Sequence, residues 1–255
     1  MGMYEDFRLD GKVAVVTGGS KGIGKGIALA LAECGADVVI GARREAEVQA
    51  AAEEIAAASG QKCLGVTLDV MNFDEVPALL DRVVDEFGGL DIMVNNAGGN
   101  LDRDMHPLPS ISEQKWDEQV DLNLKTKWWG CQQAAKRMKD GGRIINISSV
   151  AAHAASPGFG AYSAANNGVI SLTRTMAREL APQKITVNCL CPGFVVTEML
   201  LETMKVSQDQ ADEMAMGQNP LGLGYPSDLG AAAVFFASPA AHWTTGQTID
   251  VDGGR

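Results

Sequence analysis

Residues 13–31 constrain the fold more than any other stretch. Val13, Ala14, Val15 and Val16 form a short apolar run rich in β-branched residues, which suits a buried strand. Thr17, Gly18, Gly19, Ser20, Lys21, Gly22, Ile23 and Gly24 follow. Ile23, Ile27, Ala30, Leu31 and Cys34 then recur at helical spacing. The order is strand, glycine-rich turn, helix. Such a turn aims free backbone N–H groups and the positive end of a helix dipole at one point, which suits a phosphate. Glycine leaves no Cβ in the way of a close approach. The spacing, Gly18-x3-Gly22-x-Gly24, fits neither G-x-G-x-x-G nor a P-loop, whose Gly-Lys-Ser/Thr ending is missing. A glycine cluster by itself also describes an ordinary tight turn. The strand before it and the amphipathic helix after it favour dinucleotide binding.

The same alternation continues along the chain. Residues 37–41, 62–68, 91–94, 143–148, 185–190 and 247–251 read as further strands, making seven in all. Residues 45–59, 73–87, 111–138 and 162–180 read as helices, with Gly60 and Gly88 as stops. Strands alternating with helices predict a single α/β domain of the Rossmann type: a doubly wound, seven-stranded parallel sheet with helices on both faces. No Pro/Ser-rich linker divides the 255 residues, so 1–255 is expected to be one domain.

Charge and composition exclude several function classes. A net charge of −11 argues against a nucleic-acid partner, which needs clustered cations. No apolar run reaches the ~18 residues of a membrane helix, and residues 1–9 carry no signal-peptide core. Five cysteines in apolar contexts read as reduced thiols of a cytoplasmic protein. Cys189 and Cys191 straddle one residue of a strand and read as core thiols. His106, His153 and His242 show no ligand spacing, so no metal is expected. All three read as surface or loop residues; lining a pocket beside Ser149 is the less favoured reading of His153.

The second strand runs into Gly41-Ala42-Arg43-Arg44. An acid at that point binds a ribose 2′-hydroxyl, whereas a cation accommodates a 2′-phosphate. No acid is present, two arginines follow, and Lys21 of the glycine turn can reach the same place. These cations are either solvated surface charges or the selectors of NADP(H) over NAD(H); their shared location favours NADP(H). The fourth strand runs into Asn95-Asn96-Ala97-Gly98, at the strand end where such sheets bind ligands. The fifth ends in Ser148-Ser149, and Tyr162 follows Ser149 by thirteen residues.

With those residues in place the chain resembles the short-chain dehydrogenases/reductases, nearest in character to bacterial ketoreductases of the 3-oxoacyl reductase type. The likeness runs from about residue 9 to 254. It implies that Gly18, Ser20, Lys21, Gly22, Ile23 and Gly24 hold the cofactor phosphates, with Arg43 and Arg44 beside them. It implies that Asp69 and Val70 contact the adenine, and that Asn96, Ala97 and Gly98 line the cofactor. Pro192, Gly193, Val195 and Thr197 would hold the nicotinamide amide. Ser149, Tyr162 and Asn123 match catalytic positions: Ser149 orienting a carbonyl, Tyr162 as acid/base, Asn123 supporting a water relay. It also implies a homotetramer built by the two long helices, 111–138 and 162–180, plus the C-terminal segment, a small-molecule carbonyl or alcohol substrate, and a substrate-covering loop at 198–223. That loop's methionines fit an apolar ligand, although a helical hairpin packed on its own domain reads the same way.

The chemistry explains these residue types. Hydride transfer to a ketone builds negative charge on the carbonyl oxygen. A tyrosine hydroxyl can give a proton there and a serine hydroxyl can hydrogen-bond it. Free tyrosine has a pKa near ~10, so it needs help to act as a base. The family supplies a lysine four residues on, one helical turn along. Here that position is Asn166. A cation ~4 Å away at an effective dielectric of ~20 is worth about 4 kcal/mol, or roughly three pKa units, and asparagine cannot supply it. Its amide can still hydrogen-bond a ribose hydroxyl, or a water. The expectation is an NADP(H)-dependent interconversion of ketone and secondary alcohol, impaired at Asn166. A dinucleotide-binding sensor or assembly protein with little turnover is the alternative.

Overall fold

The structure is a computed structural model that describes residues 2, 4–100, 106–154, 156–197, 207, 209–210 and 219–254. Seven parallel strands form one sheet in the order β3-β2-β1-β4-β5-β6-β7. They are β1 (Val13–Thr17), β2 (Asp37–Ala42), β3 (Cys63–Thr67), β4 (Ile92–Asn95), β5 (Arg143–Ile147), β6 (Thr186–Pro192) and β7 (Thr248–Val251). The helices are α1 (Gly22–Glu33), α2 (Glu45–Ser59), α3 (Glu75–Phe87), α4 (Glu113–Val120), α5 (Thr126–Ala135), α6 (Gly160–Leu180) and α7 (Pro226–Ala237).

Strand periodicity sorts the core into two layers. Ala14 and Val16 of β1 pack with Ile27 and Leu31 of α1, Ile55 of α2 and Phe236 of α7. Val13 and Val15, one residue out of phase, pack with Leu80 of α3, Cys131 of α5 and Met176 of α6. All five residues of β1 are buried, as a central parallel strand covered on both faces requires. Gly60 (φ +76°) and Gly88 (φ +83°) stop α2 and α3 in the left-handed conformation, where a side chain would be strained. Pro226 opens α7, where its missing N–H costs nothing.

The expected elements differ from the observed ones mainly at their ends. The helix expected over 111–138 is broken: α4 runs into a π-helical turn, Asp121–Lys125, before α5 begins. A π turn inserts one extra residue per turn and shifts the buried face. The helix bearing Tyr162 starts two residues earlier, at Gly160, and β6 runs on through Pro192. Most of the expected substrate loop, 198–206, 208 and 211–218, lies outside the described residues.

Strand order reverses between β1 and β4. From β1 the chain winds outward through β2 and β3, then returns and winds the other way from β4. The loops leaving β1 and β4 therefore diverge and open a crevice at their C-terminal ends.

Candidate active site

The glycine turn is built for close packing. Gly18 (φ +67°) donates its N–H to Gly41 O at 2.7 Å, and a Cβ on Gly24 would lie 2.2 Å from Gly18 O. Only glycine fits there. Asn96 braces the turn from the end of β4: its amide donates to Thr17 O (2.9 Å) and Gly18 O (3.2 Å). The Thr17 hydroxyl in turn accepts the N–H groups of Asn96 and Ala97, each at 3.1 Å. The N-cap residue of α1, Lys21, makes no side-chain cap hydrogen bond, and a helix N-terminus of this kind suits a phosphate. This arrangement fits a dinucleotide.

Other expected cofactor residues converge on the same crevice. Val70 lines a cleft with Thr17, Asn95, Ala97 and Lys127. Asp69 lies beyond β3, where its carboxylate accepts the Met71 N–H at 3.0 Å. Gly193 is pinned to β7 through its N–H and Val251 O (2.9 Å), and Val195 bridges to Gly224. The segment then returns to the glycine turn, for a Cβ on Gly22 would meet the Thr197 methyl at 3.0 Å. Ser20 lies in the turn, and Ile23 packs on the core. The cations divide. Lys21 Nζ and Arg44 Nε both pair with Glu47, at 3.1 and 2.5 Å, while Arg43 is exposed beside them. Glu47 was not expected at the site; four residues separate it from the end of β2, and its pairing with Lys21 is visible only in three dimensions.

Ser149 and Tyr162 come together. The Ser149 hydroxyl caps the short turn Val150–Ala152 by accepting the Ala151 N–H (3.2 Å) and is in hydrogen-bond contact with Tyr162. Burial raises the Tyr162 pKa above the ordinary phenol value; hydrogen bonds from Ser149 and Asn166 oppose it, and the nearby Cys191 adds to it. Tyr162 also forms part of a second cleft with His106, Ile111, Gln119 and Phe159. Asn166 is buried, and its amide donates to the Tyr162 backbone carbonyl at 2.9 Å. Its own carbonyl accepts the Ser148 hydroxyl at 2.9 Å, tying α6 to β5.

Asn123 occupies the π turn. Its side chain accepts the Gly99 N–H (2.9 Å) and donates to Gly99 O (3.0 Å), clamping the loop after β4. Its backbone carbonyl accepts Lys127 Nζ at 3.0 Å, and the same ammonium donates to Ala97 O at 3.2 Å. Lys127 is 2 % exposed, and burial pushes its pKa down to about 8. A Cβ on Gly98 would lie 2.9 Å from both Asn123 Oδ1 and Lys127 Nζ, so Gly98 is the residue that lets them approach. Lys127 is a site residue that motif matching missed.

A family model described as enoyl-(acyl carrier protein) reductase matches residues 18–255. The chain is 41 % identical over 249 residues to the 3-oxoacyl-[acyl-carrier-protein] reductase FabG of Vibrio cholerae, covering 96 % of this chain and 98 % of that one. It is 40 % identical to the 2-dehydro-3-deoxy-D-gluconate 5-dehydrogenase of Escherichia coli, covering 97 % and 96 %. Among solved structures, a 7α-hydroxysteroid dehydrogenase complexed with NADH and 7-oxo glycochenodeoxycholic acid superposes with a TM-score of 0.90 at 32 % identity, covering 100 % of this chain and 98 % of that one. The substrates named for these relatives differ chemically. With a seven-stranded parallel sheet and a glycine turn at its switch point, the chain belongs to the short-chain dehydrogenase/reductase family of oxidoreductases.

Proposed function

We propose that the protein interconverts a ketone and a secondary alcohol with NADP(H), and that Asn166 stands where the family's catalytic lysine stands, leaving the enzyme slow. The observation that carries this is the Ser149–Tyr162 hydroxyl pair, whose tyrosine is held neutral by burial. A neutral phenol is the form that donates a proton to a reduced carbonyl oxygen, with Ser149 holding that oxygen in place. Reduction is therefore the direction the site favours at neutral pH. In the alcohol-oxidising direction Tyr162 must first lose its proton, and no lysine at 166 stabilises the anion. NADP(H), when bound, supplies or accepts the hydride. Lys21, Arg43 and Arg44 are the cations available to a 2′-phosphate, and Glu47 is the anion that Lys21 and Arg44 hold in its place. Asp69, Val70, Asn96, Ala97 and Gly98 serve the adenosine half; Pro192, Gly193, Val195 and Thr197 serve the nicotinamide half.

The whole chain acts as one domain, with 198–223 covering the substrate, in a cytoplasmic homotetramer joined along the α4–α5 and α6 region and the C-terminal segment. No helix among the described residues is long and apolar enough to cross a membrane. Trp128, 39 % exposed on α5 beside the tethered Trp129, is the aromatic surface such an assembly would cover.

The test is a panel of ketones and alcohols assayed with NADPH and NADH in both directions across pH. Asn166→Lys should raise turnover at least about tenfold, equivalent to ~1.4 kcal/mol of barrier, and shift alcohol oxidation toward neutral pH. Tyr162→Phe should abolish both directions. A Tyr162→Phe variant as fast as the parent protein would refute the assignment.

A further inference from the structure

Three donor groups meet at the C-terminal ends of β6 and β7, outside the catalytic pair. Parallel register places Cys191 beside Asp250, so both side chains leave the sheet on one face. His153 arrives from the loop after β5. That loop is fixed at both ends: Ser149 accepts the Ala151 N–H, and the Asn167 amide of α6 donates to Ala152 O at 3.0 Å. His153 Nε2 lies 3.2 Å from Asp250 Oδ1, and one donor atom from each of the three residues falls within 4.8 Å of the others. Among the described residues this is the one such group.

The geometry points to a zinc(II) site formed by Cys191 Sγ, a His153 ring nitrogen and an Asp250 carboxylate oxygen. Thiolate, imidazole and carboxylate are the three protein donors zinc accepts, and their mixture at one point disfavours magnesium or calcium, which take oxygen alone. Tetrahedral zinc with ordinary bond lengths separates nitrogen and oxygen donors by roughly 3.4 Å, and sulfur from either by roughly 3.6 Å. The observed nitrogen–oxygen separation of 3.2 Å is close to that value, and the sulfur lies within 4.8 Å of both. Cys191 is fully buried, whereas the His153 and Asp250 side chains are 42 % and 45 % exposed, so an ion can enter from solvent and seat against a fixed sulfur. Three protein ligands leave the fourth position to water or another small ligand. A bound ion would staple the loop that carries Ser149 to the two last strands of the sheet. The inference does not depend on the role assigned to Tyr162.

The experiment is a cobalt(II) titration of the reduced, chelator-treated full chain, read by absorption, with zinc(II) added afterwards. The expected result is a near-ultraviolet thiolate-to-cobalt charge-transfer band that saturates at one ion per chain and is erased by zinc. Cys191→Ser should lose the band. His153→Ala and Asp250→Asn change exposed side chains and should keep the fold; each should weaken binding at least about tenfold, since even outer-shell partners of a metal are worth that much. Cys189→Ser should keep the band. A titration without the charge-transfer band, a band that survives Cys191→Ser, or affinities unchanged in both His153→Ala and Asp250→Asn would overturn the site.

Discussion

Lys127→Met tests whether the buried ammonium between Ala97 and Asn123 is kept for stability or in spite of it. Its pKa stands at about 8 against 10.5 for an ordinary lysine, with burial as the first cause. That difference of about two and a half units corresponds to a cost of about 3 kcal/mol for holding the charge inside. The sign follows from proton counts. Below pH 8 both folded and unfolded chains carry the proton, and the full cost is present. Between pH 8 and 10.5 the unfolded chain keeps the proton and the folded chain does not, so stability rises with pH. Above 10.5 the cost is gone. Methionine removes this dependence while keeping most of the volume. It also strands the carbonyls of Ala97 and Asn123, each worth about 1 kcal/mol. The net expectation at pH 7 is a variant about 1 kcal/mol more stable than the parent protein. By pH 10 the order is reversed, a swing of about 2.5 kcal/mol. Urea unfolding of both proteins at pH 7, 8, 9 and 10 measures that swing, and a stability difference flat across the series would refute the reasoning. Turnover per folded molecule should fall in the same variant, because the ammonium ties the clamp residue Asn123 to the loop after β4. A substitution that stabilises while it slows the enzyme marks a residue held for function.

Glu47→Gln removes the anion shared by Lys21 and Arg44; NADPH should then bind at least about threefold more tightly with NADH little changed, measured by fluorescence titration. Arg43→Ala should weaken NADPH more than NADH, and equal losses would remove Arg43 from the 2′-phosphate site. Asn146 is fully buried, accepts from the Asn95 amide at 2.9 Å and donates to the Thr173 hydroxyl at 3.0 Å; Asn146→Ala should cost about 2–4 kcal/mol in chemical denaturation, and a loss below about 1 kcal/mol would show the network is dispensable. Light scattering should find four chains together at micromolar concentration, with Trp128→Glu shifting the population to smaller species.

Where the fold was legible, one local signal carried it. The central strands β1 and β4 are short runs, mostly apolar, in which every residue is buried, so their positions follow from composition without knowledge of their neighbours. That the sheet is parallel then follows from alternation and handedness. What local pattern could not supply was the irregularity in the region before α5. Asp121–Lys125 has helix-forming residues and continuous helical spacing, and the π turn there is stabilised by the Asn123 clamp on Gly99, a contact made across 24 positions. No local period reports such a contact.

The site divides along the same line. Gly18, Gly22 and Gly24 announce themselves because positive φ and close approach demand glycine whatever the rest of the chain does. The meeting of Glu47 with Lys21, and of His153 with Cys191 and Asp250, depends on which strand ends lie side by side. Lys127 is a third case, for it did leave a trace. Asn123, Lys127, Gly130, Cys131 and Ala134 recur at helical spacing, and all are buried. A lysine on that face contradicts its neighbours. Asn146 in the middle of β5, and Asn166 on the buried side of α6, contradict theirs in the same way. Each such residue must find partners inside or cost several kcal/mol. Lys127 meets two carbonyls of the loop and the π turn, Asn146 meets Asn95 and Thr173, and Asn166 meets the backbone of Tyr162. Polar residues that break an apolar face are therefore the signal of where this sheet organises its crevice, and they are readable before any neighbour is known.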